Sequence, residues 1–187
     1  IMKFKNWIAL FSQTGQEIID ISNQIDRIPD LIISNNHPSN VHNILKGVEY
    51  KWLTTFGEEA KSLNILDEVV EDIDNTLVTL NGWLRIVPPD KCNKYNIYNG
   101  HPGLITKYPE LKGKDPQQRM WENIHEYDTA GSVVHRVVEE VDAGNVETFS
   151  EVSSANILTL DEAYDALRAT SLGAWCSFLK ERIYNKV

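Results

Sequence analysis

Short, unbroken apolar runs separated by segments of helical period constrain this chain more than any other feature. Trp7-Ile8-Ala9-Leu10-Phe11 is such a run, closed by Ser12-Gln13-Thr14-Gly15, and Ile18, Ile19, Ile21 and Ile25 then recur at helical spacing. Strand, tight turn and helix follow from that pattern. Asp30-Leu31-Ile32-Ile33-Ser34 forms a second strand between Pro29 and Asn35-Asn36, followed by a short helix around Val41 to Leu45 and a third strand over Tyr50 to Leu53. From Glu58 to Ile73 the apolar positions Ala60, Leu63, Leu66, Val69, Val70 and Ile73 predict one long helix with acids on its opposite face. Thr76-Leu77-Val78-Thr79-Leu80 is another buried strand. The alternation predicts βαβ units, hence an α/β, Rossmann-like, mostly parallel twisted sheet with helices on both faces.

Beyond Leu104 the rhythm changes. A polar loop leads to a helix opened by Asp115-Pro116, as N-cap and first-turn proline. Extended segments are expected over Ser132 to Val141 and Val146 to Val152, and a last helix starts at Thr159, whose hydroxyl and Glu162 form a capping box. The 187 residues suit a single domain over positions 2–187, with Ile1 set outside the fold argument.

Lys and Arg number 18 against 27 Asp and Glu, a net charge of −9, so long-range electrostatics disfavour a nucleic-acid partner. Cys92 and Cys176 lack metal-ligand spacing and fit a reduced, cytoplasmic protein without disulfides. No apolar run reaches the length of a membrane span, and no secretory signal pattern opens the chain. His37, His42 and His125 match no zinc spacing, so no metal is expected. A monomer or a homodimer is equally compatible with the sequence.

Chemistry concentrates where apolar runs end. Asn96-Ile97-Tyr98 gives way to Asn99-Gly100-His101-Pro102-Gly103, placing an amide and an imidazole at a strand end, where α/β sheets hold ligands. A second run, Val133 to Val138, leads to Asp142-Ala143-Gly144, which returns a carboxylate toward that imidazole. Asn99, His101 and Asp142 together supply an oxyanion donor, a proton-handling ring and a group that orients it. Asp142 also suits simple turn initiation, and His135, lying inside a strand, reads as a satisfied core histidine. The first turn, Thr14-Gly15-Gln16-Glu17, presents a helix start that suits an anion, although Glu17 opposes one. It lacks the triple glycine of a dinucleotide site. Lys107, Lys112, Lys114 and Arg119 form a basic stretch that reads as a solvated loop or as steering for an anionic substrate.

These motifs resemble, in order, those of the folate-dependent formyltransferases, most closely the phosphoribosylglycinamide branch. Asn99, His101 and Pro102 match its Asn-x-His-Pro, and Gly131 to His135 followed by Asp142-Ala143-Gly144 matches its histidine strand and Asp-x-Gly turn. Asn81 to Val87 resembles its folate-lining stretch, and Ser12 to Ile18 its substrate-phosphate turn. The resemblance implies formyl transfer from 10-formyltetrahydrofolate to a primary amine of a small phosphorylated acceptor, with glycinamide ribonucleotide in the lead. Asn99 and His101 would donate to the oxyanion while Asp142 passes on the proton. It implies a folate pocket over Leu84, Arg85, Ile86, Val87 and over Val138, Glu139, Glu140, Val141, with the acceptor near Thr14 to Glu17 and Lys107. Glu17 stands where that family usually has Asn, and Val133 where Thr is common. A sugar nucleotide or other amino-nucleotide acceptor, a formyltetrahydrofolate hydrolase and a non-catalytic folate- or nucleotide-binding protein are the competing readings.

Overall fold

The computed structural model describes residues 2–47 and 49–186; Ile1, set aside above, lies outside them. Asn6–Phe11 (β1) turns through Gly15 into Gln16–Ile25 (α1), and Leu31–Ser34 (β2) leads to Pro38–Ile44 (α2) and Trp52–Thr54 (β3). Two short helices, Gly57–Ser62 (α3) and Ile65–Val69 (α4), precede Thr76–Leu80 (β4). Pro89–Lys94 (α5) then leads to Asn96–His101 (β5), and Pro116–Glu122 (α6) to Thr129–Arg136 (β6), Val146–Ser153 (β7) and the long Leu160–Arg182 (α7).

All seven strands join one sheet in the order β3-β2-β1-β4-β5-β6-β7. The first five are parallel, while β6 runs antiparallel to β5 and β7 antiparallel to β6. Alternate side chains of a strand face opposite sides, and β1 shows both faces covered. Trp7, Ala9 and Phe11 pack with α1 and α7 residues such as Ile18 and Trp175. Ile8 and Leu10 pack with Ala60, Leu63 and Leu66 on the other face. The strand order reverses between β1 and β4, so their C-terminal ends open a crevice of the kind that holds ligands in such sheets.

The single long helix expected over Glu58 to Ile73 is two short helices joined at Leu63, whose φ of 53° is left-handed. The reason lies in the spacing. Ala60, Leu63, Leu66 and Val69 recur every third residue, and three residues advance an α-helix by about 300°, so each step slips about 60° off the face. A straight helix would carry Val69 round to the far side; the break at Leu63 resets the face, and Ala60, Leu63 and Leu66 are all fully buried.

Strand β6 also differs in its bounds, and two helices start where expected but are capped differently. Strand β6 begins at Thr129 and ends at Arg136 instead of running from Ser132 to Val141, although Val137 N–H still reaches the Ile97 carbonyl at 2.9 Å. Asp115 precedes α6 with a left-handed φ of 53°, and its side chain caps nothing. At α7 the Thr159 hydroxyl does accept the Glu162 N–H at 3.1 Å, but the Glu162 carboxylate reaches back to the N–H of Leu158. No described helix is long and apolar enough to cross a membrane.

Candidate active site

Three backbone features bring Asp142 to the end of β5. Antiparallel pairing sets Asn99 opposite His135 and His101 opposite Val133. After β6 the chain turns back with Asp142 at φ 57°, a left-handed conformation that Asp and Asn tolerate better than most residues. Gly144 then passes so close to Arg136 that a Cβ there would lie 1.8 Å from the Arg136 carbonyl oxygen. Glycine is required at that crossing.

The result is a buried carboxylate held between two imidazoles. Asp142 Oδ2 lies 3.5 Å from His101 Nδ1, and Asp142 Oδ1 lies 3.4 Å from His135 Nε2. Oδ2 also accepts the Gly113 N–H at 2.8 Å. The remaining nitrogen of each ring meets a backbone carbonyl: His101 Nε2 at 2.7 Å from Leu111 O, and His135 Nδ1 at 3.0 Å from Arg136 O. A carbonyl can only accept, so each of those nitrogens carries the hydrogen. In their neutral forms both rings therefore turn a lone pair toward Asp142, and His135 Nε2 is buried without a hydrogen-bond partner.

Such an arrangement is a receptor for a proton. Burial pushes the His101 pKa down, outweighing the opposing pull of Asp142 and of the Leu111 carbonyl. Burial raises the Asp142 pKa, but His135, the Gly113 N–H and His101 together outweigh it and hold the carboxyl below its ordinary value. Asp142 is thus ionised and His101 neutral at pH 7. The pair is not a salt bridge until a proton arrives.

Asn99 lies where two cavities meet. One, of about 120 Å³, lies between Trp83, Arg85, Ile86 and Val87 on one side and Val138, Glu139 and Val141 on the other, with Asn99, His135 and Asp142 among its lining residues. Among the described residues no hydrogen bond engages the backbone N–H groups of Arg85, Ile86, Val87, Val138, Glu139 or Val141, or the Asn99 amide. Ile86 and Val141 are 74% and 58% exposed. Large apolar side chains left in water around one slot, beside free backbone edges, suit a flat heteroaromatic ring. The other cavity, of about 440 Å³, is bordered by Glu17, Leu84, Asn99, Tyr164, Arg168 and Ser171.

The remaining predicted residues divide. Glu140 closes the turn, its carbonyl accepting the Ala143 N–H, and Leu84 borders the larger cavity instead of the slot. Thr14, Gly15 and Glu17 line a small cavity of about 150 Å³ at the start of α1, whereas the Gln16 amide turns to Asp20. Lys107 borders none of these; its ammonium donates to Thr129 Oγ1 at 3.0 Å and lies over the Tyr108 ring. His135 is the functional candidate that the sequence reading assigns to the core. Its signal was the register that faces it to Asn99. No cluster of metal-ligating side chains occurs among the described residues.

Comparison with known proteins agrees with this architecture. Among curated proteins, the trifunctional purine biosynthetic protein adenosine-3 of Bos taurus is 32% identical over 83 residues, covering 43% of this chain and 8% of that protein. The phosphoribosylglycinamide formyltransferase of Dictyostelium discoideum is 32% identical over 85 residues, 41% of this chain and 40% of that one. The chain thus matches less than half the length of either relative. Among solved structures, phosphoribosylglycinamide formyltransferase from Anaplasma phagocytophilum superposes with a TM-score of 0.79 at 21% identity, over 95% of this chain and 86% of that one. A formyltetrahydrofolate deformylase from Pseudomonas syringae gives 0.73 at 18% identity, over 98% and 64%. With the formyl transferase family model matching residues 10–174, most of its length, the chain belongs to the formyl transferase family.

Proposed function

We propose that this protein transfers a formyl group from 10-formyltetrahydrofolate to a primary amine of a small acceptor. In that reaction the amine nitrogen bonds to the formyl carbon, the bond from that carbon to the donor nitrogen breaks, and one proton passes from acceptor to donor. The observation that carries the reading is the Asp142 carboxylate, 3.5 and 3.4 Å from two imidazole nitrogens, at the end of a cleft bordered by a free Asn99 amide. Asn99 would donate to the oxygen that gains charge as the amine adds, the interaction worth most in such sites. His101 or His135 would take the amine's proton toward Asp142, which stabilises the imidazolium. A second oxyanion donor, His101 Nε2–H, becomes available when the Leu111 carbonyl releases it.

The residues lining the slot fit a pterin: Arg85 to Val87 and Val138 to Val141 would offer backbone donors and acceptors to its edge, between apolar walls. Several solved neighbours are titled phosphoribosylglycinamide formyltransferases, so glycinamide ribonucleotide is the reference acceptor. The test supplies purified protein with 10-formyltetrahydrofolate and a panel of amines, following both formylated amine and free formate. Amine-dependent formylation supports the proposal. Formate release that ignores every amine would replace it with hydrolysis, and donor binding without turnover would leave a binding protein.

A further inference from the structure

The start of α1 carries its own acid. Glu17 is the second residue of that helix, so its carboxylate already meets the partial positive charge there. Its position is fixed by a chain of donors. Trp7 Nε1 can only give a hydrogen, and it gives it to Thr79 Oγ1 at 2.8 Å. The Thr79 hydroxyl then donates to Asn81 Oδ1 at 2.7 Å, which leaves the Asn81 amide nitrogen to donate to Glu17 Oε1 at 3.1 Å. On the other side Ser171 Oγ donates to Glu17 Oε2 at 2.8 Å. The Trp175 indole N–H, fully buried and otherwise without a partner, also faces this carboxylate. With donors aimed at both oxygens from the end of β4 and from α7, the group cannot swing aside, and these hydrogen bonds oppose the burial that raises its pKa.

Glu17 borders the cavity that Asn99 shares, and it borders the small cavity at the turn. Arg168 is the cation beside it, but that guanidinium is exposed and pairs with Asp165 at 3.0 Å. A phosphate dianion lodged at this turn would meet the ionised form of a carboxyl that cannot turn away, a like-charge contact that weakens recognition. Hydroxyls or an ammonium would instead find an acceptor with lone pairs to spare.

We infer that the end of the acceptor lying against the α1 start is a hydrogen-bond donor, sugar hydroxyl or ammonium, and not a phosphate monoester. For the amine chemistry this rests on the formyl-transfer reading; for the binding preference it does not. The experiment has two arms, each run on wild type, Glu17→Gln and Glu17→Asn. In the first, inorganic phosphate is titrated while thermal stability is followed. Wild type should show no shift, and the neutral variants should gain one. In the second, kcat/KM is compared for glycinamide riboside, its 5′-phosphate and a simple diamine. Wild type should favour the riboside or the diamine over the phosphate by on the order of tenfold or more, with the riboside and diamine telling hydroxyl from ammonium recognition. Glu17→Gln should narrow that ratio. Phosphate binding to wild type, a preference for the 5′-phosphate, or neutral variants that gain no phosphate shift would each overturn the inference. If no acceptor is formylated but the phosphate arm behaves as stated, formyl transfer fails while the Glu17 assignment stands. Should the variants not fold, the wild-type phosphate titration and acceptor ratio still decide.

Discussion

Replacing Asp142 by Asn removes one charge and almost nothing else. Asn tolerates the left-handed φ of 57° at this position, and its side-chain oxygen can still accept the Gly113 N–H. What disappears is the attraction for a proton arriving on either ring. At the observed 3.5 Å from His101, and with an effective dielectric of about 20, a carboxylate stabilises an imidazolium by roughly 4 to 5 kcal/mol. That is an upper bound of about three to four powers of ten in rate. Water admitted by the adjoining cleft screens part of it, so kcat for formyl transfer should fall by about a hundredfold to a thousandfold.

The pH profile separates this account from simple damage. Asp142 is one of the groups that hold the His101 pKa up against burial. Without it the imidazole loses its proton at lower pH, so the acid limb of kcat/KM should move down in pH as the plateau drops. The assay is the spectrophotometric release of the deformylated folate with whichever acceptor the panel yields, between pH 5 and 9, with melting temperature measured alongside. Transfer within about threefold of wild type together with an unmoved acid limb would refute the reasoning.

Three further outcomes follow from the same geometry. His135→Phe fills the ring's volume but removes the repulsion by His135 that helps hold the His101 pKa down; transfer should fall about tenfold to a hundredfold, and the acid limb should move up in pH. Gly144→Ala forces a Cβ against the Arg136 carbonyl, which should cost about 1 to 3 kcal/mol and lower Tm by roughly 3 to 10 °C, with activity falling further than stability because the Asp142 turn is displaced. For Glu17, burial raises the pKa against its hydrogen bonds from Asn81 and Ser171, so the folded state binds that proton more tightly than the unfolded chain. Stability from this group is therefore lost as pH rises from the unfolded value through the folded one, and Glu17→Gln should gain in Tm relative to wild type between pH 4 and pH 8. A difference that stays flat across that range would contradict the assignment.

Much of the fold is written in local pattern. The apolar runs Trp7 to Phe11 and Thr76 to Leu80 become β1 and β4, and Asn99 and His101 fall at the end of β5 as their position before Pro102-Gly103 implies. The failures share a physical cause. The Glu58 to Ile73 segment has helical composition, but its strict three-residue spacing conflicts with a 3.6-residue turn, and only burial on the sheet decides where the conflict is relieved. Pro88-Pro89 opens α5 with a first-turn proline, but six residues carry too little periodicity to stand out against the flanking loop.

The site was legible in its parts but not in its wiring. His135 sits among valines, and Val134 beside it packs under α7, so the local pattern makes it a core residue. Strand alternation turns the very next side chain to the opposite face, and the pairing of Asn99 with His135 delivers it to Asp142. That pairing depends on two segments separated by the whole of α6 and its loops, which no local period encodes. Glu17 teaches the same lesson from the other direction. Helix capping rules assign an acid in a first turn to dipole stabilisation, a role that an exposed and freely rotating Glu would fill equally well. Only the fold brings Asn81 from the end of β4 and Ser171 from α7 to its two oxygens, and these bonds turn a routine first-turn acid into one fixed in place beside the larger cavity. In the proposed reading substrate choice rests on such contacts between distant elements, while the proposed chemistry draws on Asn99 and His101, which local pattern already places at the end of β5.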